Sequence, residues 1–186
     1  MQASIRIIAI ADKLKQCTGD SLSQHTKLSL PSLFDDVVQM HRFLIERQAS
    51  VEIDVDQEAD LDVLGHKLQL EQAFSILLTN ACYAVGQRFS DDPLQGRITI
   101  SVTTEDDAFQ IRFADNGTGM EAHVLKNIFV PYYTTKPQGI GEGLGLPICQ
   151  AIFNRHGGQI SVNSALNQGT TFTIKLPKAG EGSDNG

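Results

Sequence analysis

The sequence predicts a two-layer α/β sandwich in which a mixed sheet packs against helices. Three observations carry that expectation. Helical and strand periodicities alternate irregularly along the chain, not in the regular strand–helix order of a parallel sheet. Strands near 97–114 and 159–176 fall in close pairs, as hairpins do. Hydrophobic residues make up 41% of the 186 positions, enough to build a core.

The elements follow in order. Ala3, Ile7, Ile10, Leu14 and Cys17 recur at heptad spacing and predict an amphipathic helix, broken by Thr18-Gly19-Asp20-Ser21. After a polar stretch, Pro31 suits the first turn of a helix reaching about Gln48, with Leu33, Val37, Met40 and Leu44 on one face. Val51 to Asp56 alternates apolar and polar as a half-buried strand does, and Leu61 to Leu64 is a shorter strand ended by Gly65. A long helix is expected from Lys67 to Gln87, because Leu70, Phe74, Leu77, Leu78, Ala81 and Val85 keep helical spacing. Arg97 to Thr104 and Phe109 to Ala114 read as strands around the acidic turn at 105–107. Residues 116–143 hold no clean period, and much of the stretch is expected to be a mobile loop. Leu144 to Arg155 then reads as a helix with a glycine C-cap at His156-Gly157-Gly158, and strands Gln159 to Asn163 and Thr170 to Leu176 close the fold. The composition of the last residues, 180–186, predicts a disordered tail.

Composition excludes several classes. The net charge is −7, with no Lys/Arg cluster, so no nucleic-acid surface is expected. No apolar run is long enough to span a bilayer, and Met1 opens on a polar segment in place of a signal sequence, so no membrane contact and a cytoplasmic setting are expected. Cys17, Cys82 and Cys149 stand far apart with no CxxC partner, which points to free thiols in a reducing compartment. His25, His41, His66, His123 and His156 form no metal-ligand spacing, and no protein metal cage is expected.

Four local features carry chemistry. Asn80 lies within the apolar face of the long helix, where a carboxamide must find a partner. Alone, it reads as readily as a structural asparagine as a ligand. Asp115-Asn116-Gly117-Thr118-Gly119-Met120 follows a strand directly and forms a DxGxG corner, a pattern that turns also produce. Gly139-Ile140-Gly141-Glu142-Gly143-Leu144-Gly145-Leu146 runs into a helix, where glycines allow close backbone approach and the first N–H groups favour phosphate. It lacks the closing Lys-Ser/Thr of a P-loop and the preceding strand of a Rossmann fingerprint. Finally, Phe129-Val130-Pro131-Tyr132-Tyr133-Thr134-Thr135-Lys136 puts aromatics and a cation just before those glycines.

In this order, across residues 29–178, the features resemble the ATP-binding domain of sensor histidine kinases, within the superfamily that includes gyrase and mismatch-repair ATPases. Leu70 to Val85 resembles its N box, Asp115 to Met120 its first glycine box, Ile128 to Lys136 its F box and Gly141 to Leu146 its second glycine box. The closing Gly169-Thr170-Thr171-Phe172 resembles its last strand. The resemblance implies a Bergerat-type ATP-binding fold with a mobile ATP lid, and three segments. Residues 1–28 would be a remnant of the dimerisation hairpin and linker, 29–179 the catalytic domain, and 180–186 the tail.

The same resemblance implies the roles. Asp115 would accept a hydrogen bond from the adenine amino group, with Gly117 and Gly119 shaping the corner and Thr170 supporting Asp115 through a shared water. Asn80 would hold the Mg²⁺ bound to ATP. Thr134, Thr135, Lys136, Gly141, Gly143, Leu144, Gly145 and Leu146 would meet the phosphates. The implied partners are a dimerisation domain carrying the acceptor histidine, in a homodimer, and the receiver domain of a response regulator. Some positions depart from the family pattern: Ile76 replaces a second Asn, Tyr83 a frequent Lys, His66 an Asp cap and Asn167 a glycine. None of the five histidines occupies the acceptor's place. A regulatory nucleotide module without transfer activity, or an ATP-gated clamp, are the alternative readings.

Overall fold

The computed structural model describes residues 25–56, 59–137 and 139–180. The expected helix near 3–18, Cys17 and most of the expected tail lie outside them.

Strand β1, Thr26–Ser29, leads into helix α1, Leu30–Met40, and helix α2, Arg42–Gln48. Strands β2, Ser50–Asp54, and β3, Asp62–Gly65, precede the long helix α3, Lys67–Arg88. Strands β4, Arg97–Thr104, and β5, Ala108–Asp115, form a hairpin, followed by the short helix α4, Ala122–Leu125. Helix α5, Gly145–Arg155, and strands β6, Gln159–Ala165, and β7, Gly169–Pro177, complete the order. The main sheet runs β2-β4-β5-β7-β6. Its β2–β4 pair is parallel and its other pairs are antiparallel. The layered α/β sandwich with a mixed sheet is as expected.

Two differences have physical reasons. The single helix expected from Pro31 to Gln48 is two helices, because His41 leaves the helical region at φ −102°, ψ 12°. Met40 is consequently exposed, and the buried face is Leu30, Leu33, Phe34 and Val37, resumed at Ile45. Strand β1 falls in the stretch read only as polar. Its conformation comes from antiparallel pairing with β3, a tertiary cause that local pattern does not carry.

Between the layers, Phe74 of α3 stacks on Phe113 of β5 with centroids 5.6 Å apart, and Phe34 meets Phe74 edge-on at 5.2 Å. Phe34, Phe74 and Phe153 are fully buried, each stabilising the fold by about 2–3 kcal/mol. The six apolar α3 positions expected inside are all buried. This packing fixes α3 rigidly, so side chains on its remaining face are held where the sheet ends.

His66 stands at the N-cap of α3 without a capping bond from its side chain. Its backbone N–H instead donates to Nε2 of buried His156, 3.1 Å away. His156 Nδ1 in turn lies 2.8 Å from the Ile152 carbonyl, so the end of α5 supplies the cap that α3 lacks. Gly157 takes the left-handed conformation expected of the C-cap, φ 69°, and Asn167 tolerates it at φ 59° in the β6–β7 turn. Cys82 and Cys149 are buried free thiols, and burial pushes the Cys82 thiol up to about 11. Among the described residues no helix is long and apolar enough to cross a membrane, and no group of three or more His, Cys, Asp or Glu could hold a metal ion.

Candidate nucleotide site

A cavity of about 350 Å³ opens where α3, the end of β5, the loop after α4 and the start of α5 converge. That volume suits a small ligand. Among the expected site residues, Asn80, Asp115, Gly119, Thr134, Thr135, Lys136, Gly141, Gly143, Gly145, Leu146 and Thr170 line it. Gly117 and Leu144 do not.

Asp115 ends β5, beside Thr170 on β7. Its Oδ1 accepts the Gly117 N–H at 2.8 Å, and the Thr170 backbone also donates to the carboxylate. Burial outweighs these bonds and pushes the carboxyl up to about 6. The Thr170 hydroxyl lies 3.0 Å from the Ser164 hydroxyl, a partner that sequence reasoning missed. Thr170 thus supports Asp115 through its main chain.

The two glycines of the corner serve packing first. A side chain on Gly117 would strike the backbone of Ala84 on α3, at 2.6 Å. One on Gly119, already at φ 63°, would fall 2.0 Å from the Ala165 carbonyl oxygen. Thr118 N–H donates to Ala84 at 3.2 Å, and Arg88 reaches the carbonyls of Asn116 at 2.7 Å and Gly117 at 3.2 Å. The corner is therefore clamped to α3, and Asp115 with it.

Next to Asp115 the wall is apolar: Met120, Val124, Ile128 and Phe172. These come from a loop, α4, the turn after it and β7, so no local pattern announces them together. On α3, Thr79 and Tyr83 share the cavity face with Asn80. The Thr79 hydroxyl is spent on the carbonyls of Ser75, at 2.8 Å, and Ile76, at 3.1 Å. Asn80 Oδ1 accepts a hydrogen bond from Lys136 Nζ at 2.7 Å, so it is an oxygen already facing a cation.

The loop from 131 to 144 is pinned at its neck. Tyr132 and Gly143 both adopt left-handed backbones, φ 67° and 69°. Tyr132 N–H donates to the Gly143 carbonyl at 2.8 Å. A Cβ on Gly143 would lie 2.5 Å from the Tyr132 backbone, so only glycine fits there. That closure brings Gly145, Leu146 and Pro147 of α5 to the cavity, where the N–H groups of Gly145 and Leu146 at a helix start favour an anion.

Comparison with known proteins agrees with this geometry. A family model described as histidine kinase-, DNA gyrase B- and HSP90-like ATPase matches residues 65–180, more than half of the chain. The chain belongs to this family. Sporulation kinase B of Bacillus subtilis is 38% identical over 128 residues, covering 69% of this chain and 28% of that protein. The C4-dicarboxylate transport sensor protein DctB of Rhizobium meliloti is 33% identical over 175 residues, covering 94% of this chain and 27% of that protein. The chain thus spans little more than a quarter of these relatives. A nucleotide-free structure of the catalytic domain of histidine kinase ThkA superposes with a TM-score of 0.69 at 27% identity, covering 83% of this chain and 96% of that one. The chain is a catalytic ATP-binding domain of the histidine kinase kind, with the Bergerat-type fold.

Proposed function

We propose that the chain binds Mg-ATP and hands its γ-phosphoryl group to a histidine on a dimerisation domain, for relay to a response-regulator aspartate. One observation carries the reading. A single cavity joins a half-buried carboxylate on an apolar wall to a carboxamide oxygen beside a cation and to a helix start. An adenine fits the first part, with its amino group donating to Asp115, and phosphates fit the second.

The donor set suits the metal too. Mg²⁺ takes oxygen ligands and keeps several waters, so Asn80 Oδ1 with phosphate oxygens is a sufficient set. Bound there, Mg²⁺ would neutralise phosphate charge. Lys136 and the N–H groups at Gly143 and Gly145 would hold the phosphate oxygens. In the transfer, an N–P bond forms at the acceptor imidazole as the bond from the γ-phosphorus to its bridging oxygen breaks, and ADP leaves. Ile76 sits on the cavity wall with a methyl directed at Gly145, so that position offers no acid to activate water. This favours transfer over the hydrolysis of an ATP-gated clamp.

Asn80→Ala should weaken ATP about tenfold or more with Mg²⁺ present and weaken metal-free ADP less, since one charge-assisted contact is worth about 1.5–3 kcal/mol. Calorimetric titrations with and without Mg²⁺ measure both. Equal losses in the two conditions would make Asn80 a structural residue.

A further inference from the structure

Tyr83 stands three residues after Asn80 on α3, where side chains share a face. Lys136 Nζ lies over its ring, 4.6 Å from the centroid. The same nitrogen donates to Asn80 Oδ1 at 2.7 Å, although Lys136 and Asn80 are 56 residues apart. One ammonium is therefore held between an aromatic face and the oxygen that the proposed function gives to the metal.

The loop is shaped to deliver that ammonium. Lys136 N–H donates to Thr134 Oγ1 at 3.1 Å, which turns the backbone at this point. Gly141 passes so close that a Cβ there would meet Lys136 Cδ at 3.0 Å. Burial lowers the Lys136 pKa from its usual value, and the same desolvation strengthens attraction to a ring face. A lysine in place of Tyr83 would set two ammoniums against each other and expel the loop. Tyrosine does the opposite.

We propose that Tyr83 is a positioning residue whose ring holds Lys136 on the Asn80 oxygen, so that the nucleotide-free site carries its own cation at the metal position. The inference rests on the nucleotide reading above. With a Mg-nucleotide bound, Asn80 Oδ1 would face the metal and the ammonium would turn toward the phosphates, whereas a nucleotide without metal would meet the ammonium where it stands. Tyr83 therefore matters most when metal is absent.

The test has two arms, each with Tyr83→Phe and Tyr83→Leu. In the first, NMR of lysine side chains in the nucleotide-free chain reads the ring directly, because methylene protons above an aromatic face move upfield. The Lys136 signal should be upfield in the wild type and in Tyr83→Phe, and should return to the other lysines in Tyr83→Leu. An unshifted wild-type signal, or an unchanged one in Tyr83→Leu, overturns the proposal. In the second, calorimetry should show Tyr83→Leu weakening metal-free ADP about five- to tenfold, the worth of one partly desolvated cation–π contact. Mg-ADP should change less than about twofold, and Tyr83→Phe should match the wild type in both. Equal losses with and without Mg²⁺ also overturn it, leaving Tyr83 as cavity wall. A wild type that binds no adenine nucleotide counts against the nucleotide reading instead, and the NMR arm still decides the position of Lys136.

Discussion

Asp115→Asn should weaken ATP and ADP about a hundredfold in calorimetry, by losing a charged acceptor worth about 3 kcal/mol. The carboxylate already takes N–H donors from Gly117 and Thr170, and an adenine amino group would be a further donor to the same acid. A carboxylate has acceptor capacity for all of them. An asparagine does not: its amide must turn N–H groups toward a donor, in a cavity whose wall includes the apolar Met120, Val124, Ile128 and Phe172. The exchange keeps shape and volume, so α3, β5 and the corner should stay folded. Wild-type affinity in a folded Asp115→Asn variant would remove Asp115 from adenine recognition.

The same carboxylate sets a pH dependence. Its folded value, about 6, lies above the ordinary 3.8, so the folded chain holds this proton where the unfolded chain has lost it. The nucleotide-free chain accordingly loses stability from this group as pH rises from about 4 to about 6. Nucleotide affinity runs the other way, because adenine needs the ionised acid. ADP binding should fall by up to about tenfold per pH unit below pH 6, and the fall should be shallower in Asp115→Asn, where only the ADP phosphate, with a second pKa of about 6, still titrates. An affinity flat between pH 5 and 7 would contradict the assignment.

Legibility in the sequence followed the range of the forces involved. Helix α3 and its buried face were readable because Leu70, Phe74, Leu77 and Val85 repeat within one element. The β4–β5 hairpin was readable for the same local reason. Strand β1 was not, since Leu28 is the one apolar residue in Thr26–Ser29 and pairing with β3 makes it a strand. The break at His41 was hidden because helical periodicity continues on both sides. In the site, Asn80, Asp115 and the glycines stand in short motifs and could be picked out one by one. The apolar wall is assembled from four separate segments, and the Lys136–Asn80 bond joins positions 56 residues apart. The left-handed Tyr132 had no signal at all, because a bulky side chain seldom adopts that backbone.

Incubated alone with γ-labelled ATP, the chain should acquire essentially no phosphohistidine, yet it should donate to a dimerisation hairpin supplied to it. The reason lies in where its described histidines are held. His156 has one ring nitrogen accepting the His66 N–H and the other against the Ile152 carbonyl. His25 and His66 lie against it, with ring centroids 4.3 Å apart, at the far end of α3 from Asn80. His41 stands at the break between α1 and α2, and His123 of α4 pairs with Glu121 at its N-cap, 3.2 Å away. None of the five lines the cavity between Asn80 and the start of α5. Misplacement by about 1 Å already costs on the order of a hundredfold in rate. A hairpin added in trans should therefore restore transfer weakly, and the same hairpin joined covalently should restore it more strongly, by about 10²-fold or more through effective concentration. Acid lability of the label identifies phosphohistidine, and mass spectrometry places it. Stoichiometric acid-labile label on the chain alone would show that one of its own histidines reaches the γ-phosphate, and His123→Gln would then be the first variant to measure. Nucleotide binding without transfer to either hairpin would instead make this a regulatory nucleotide module.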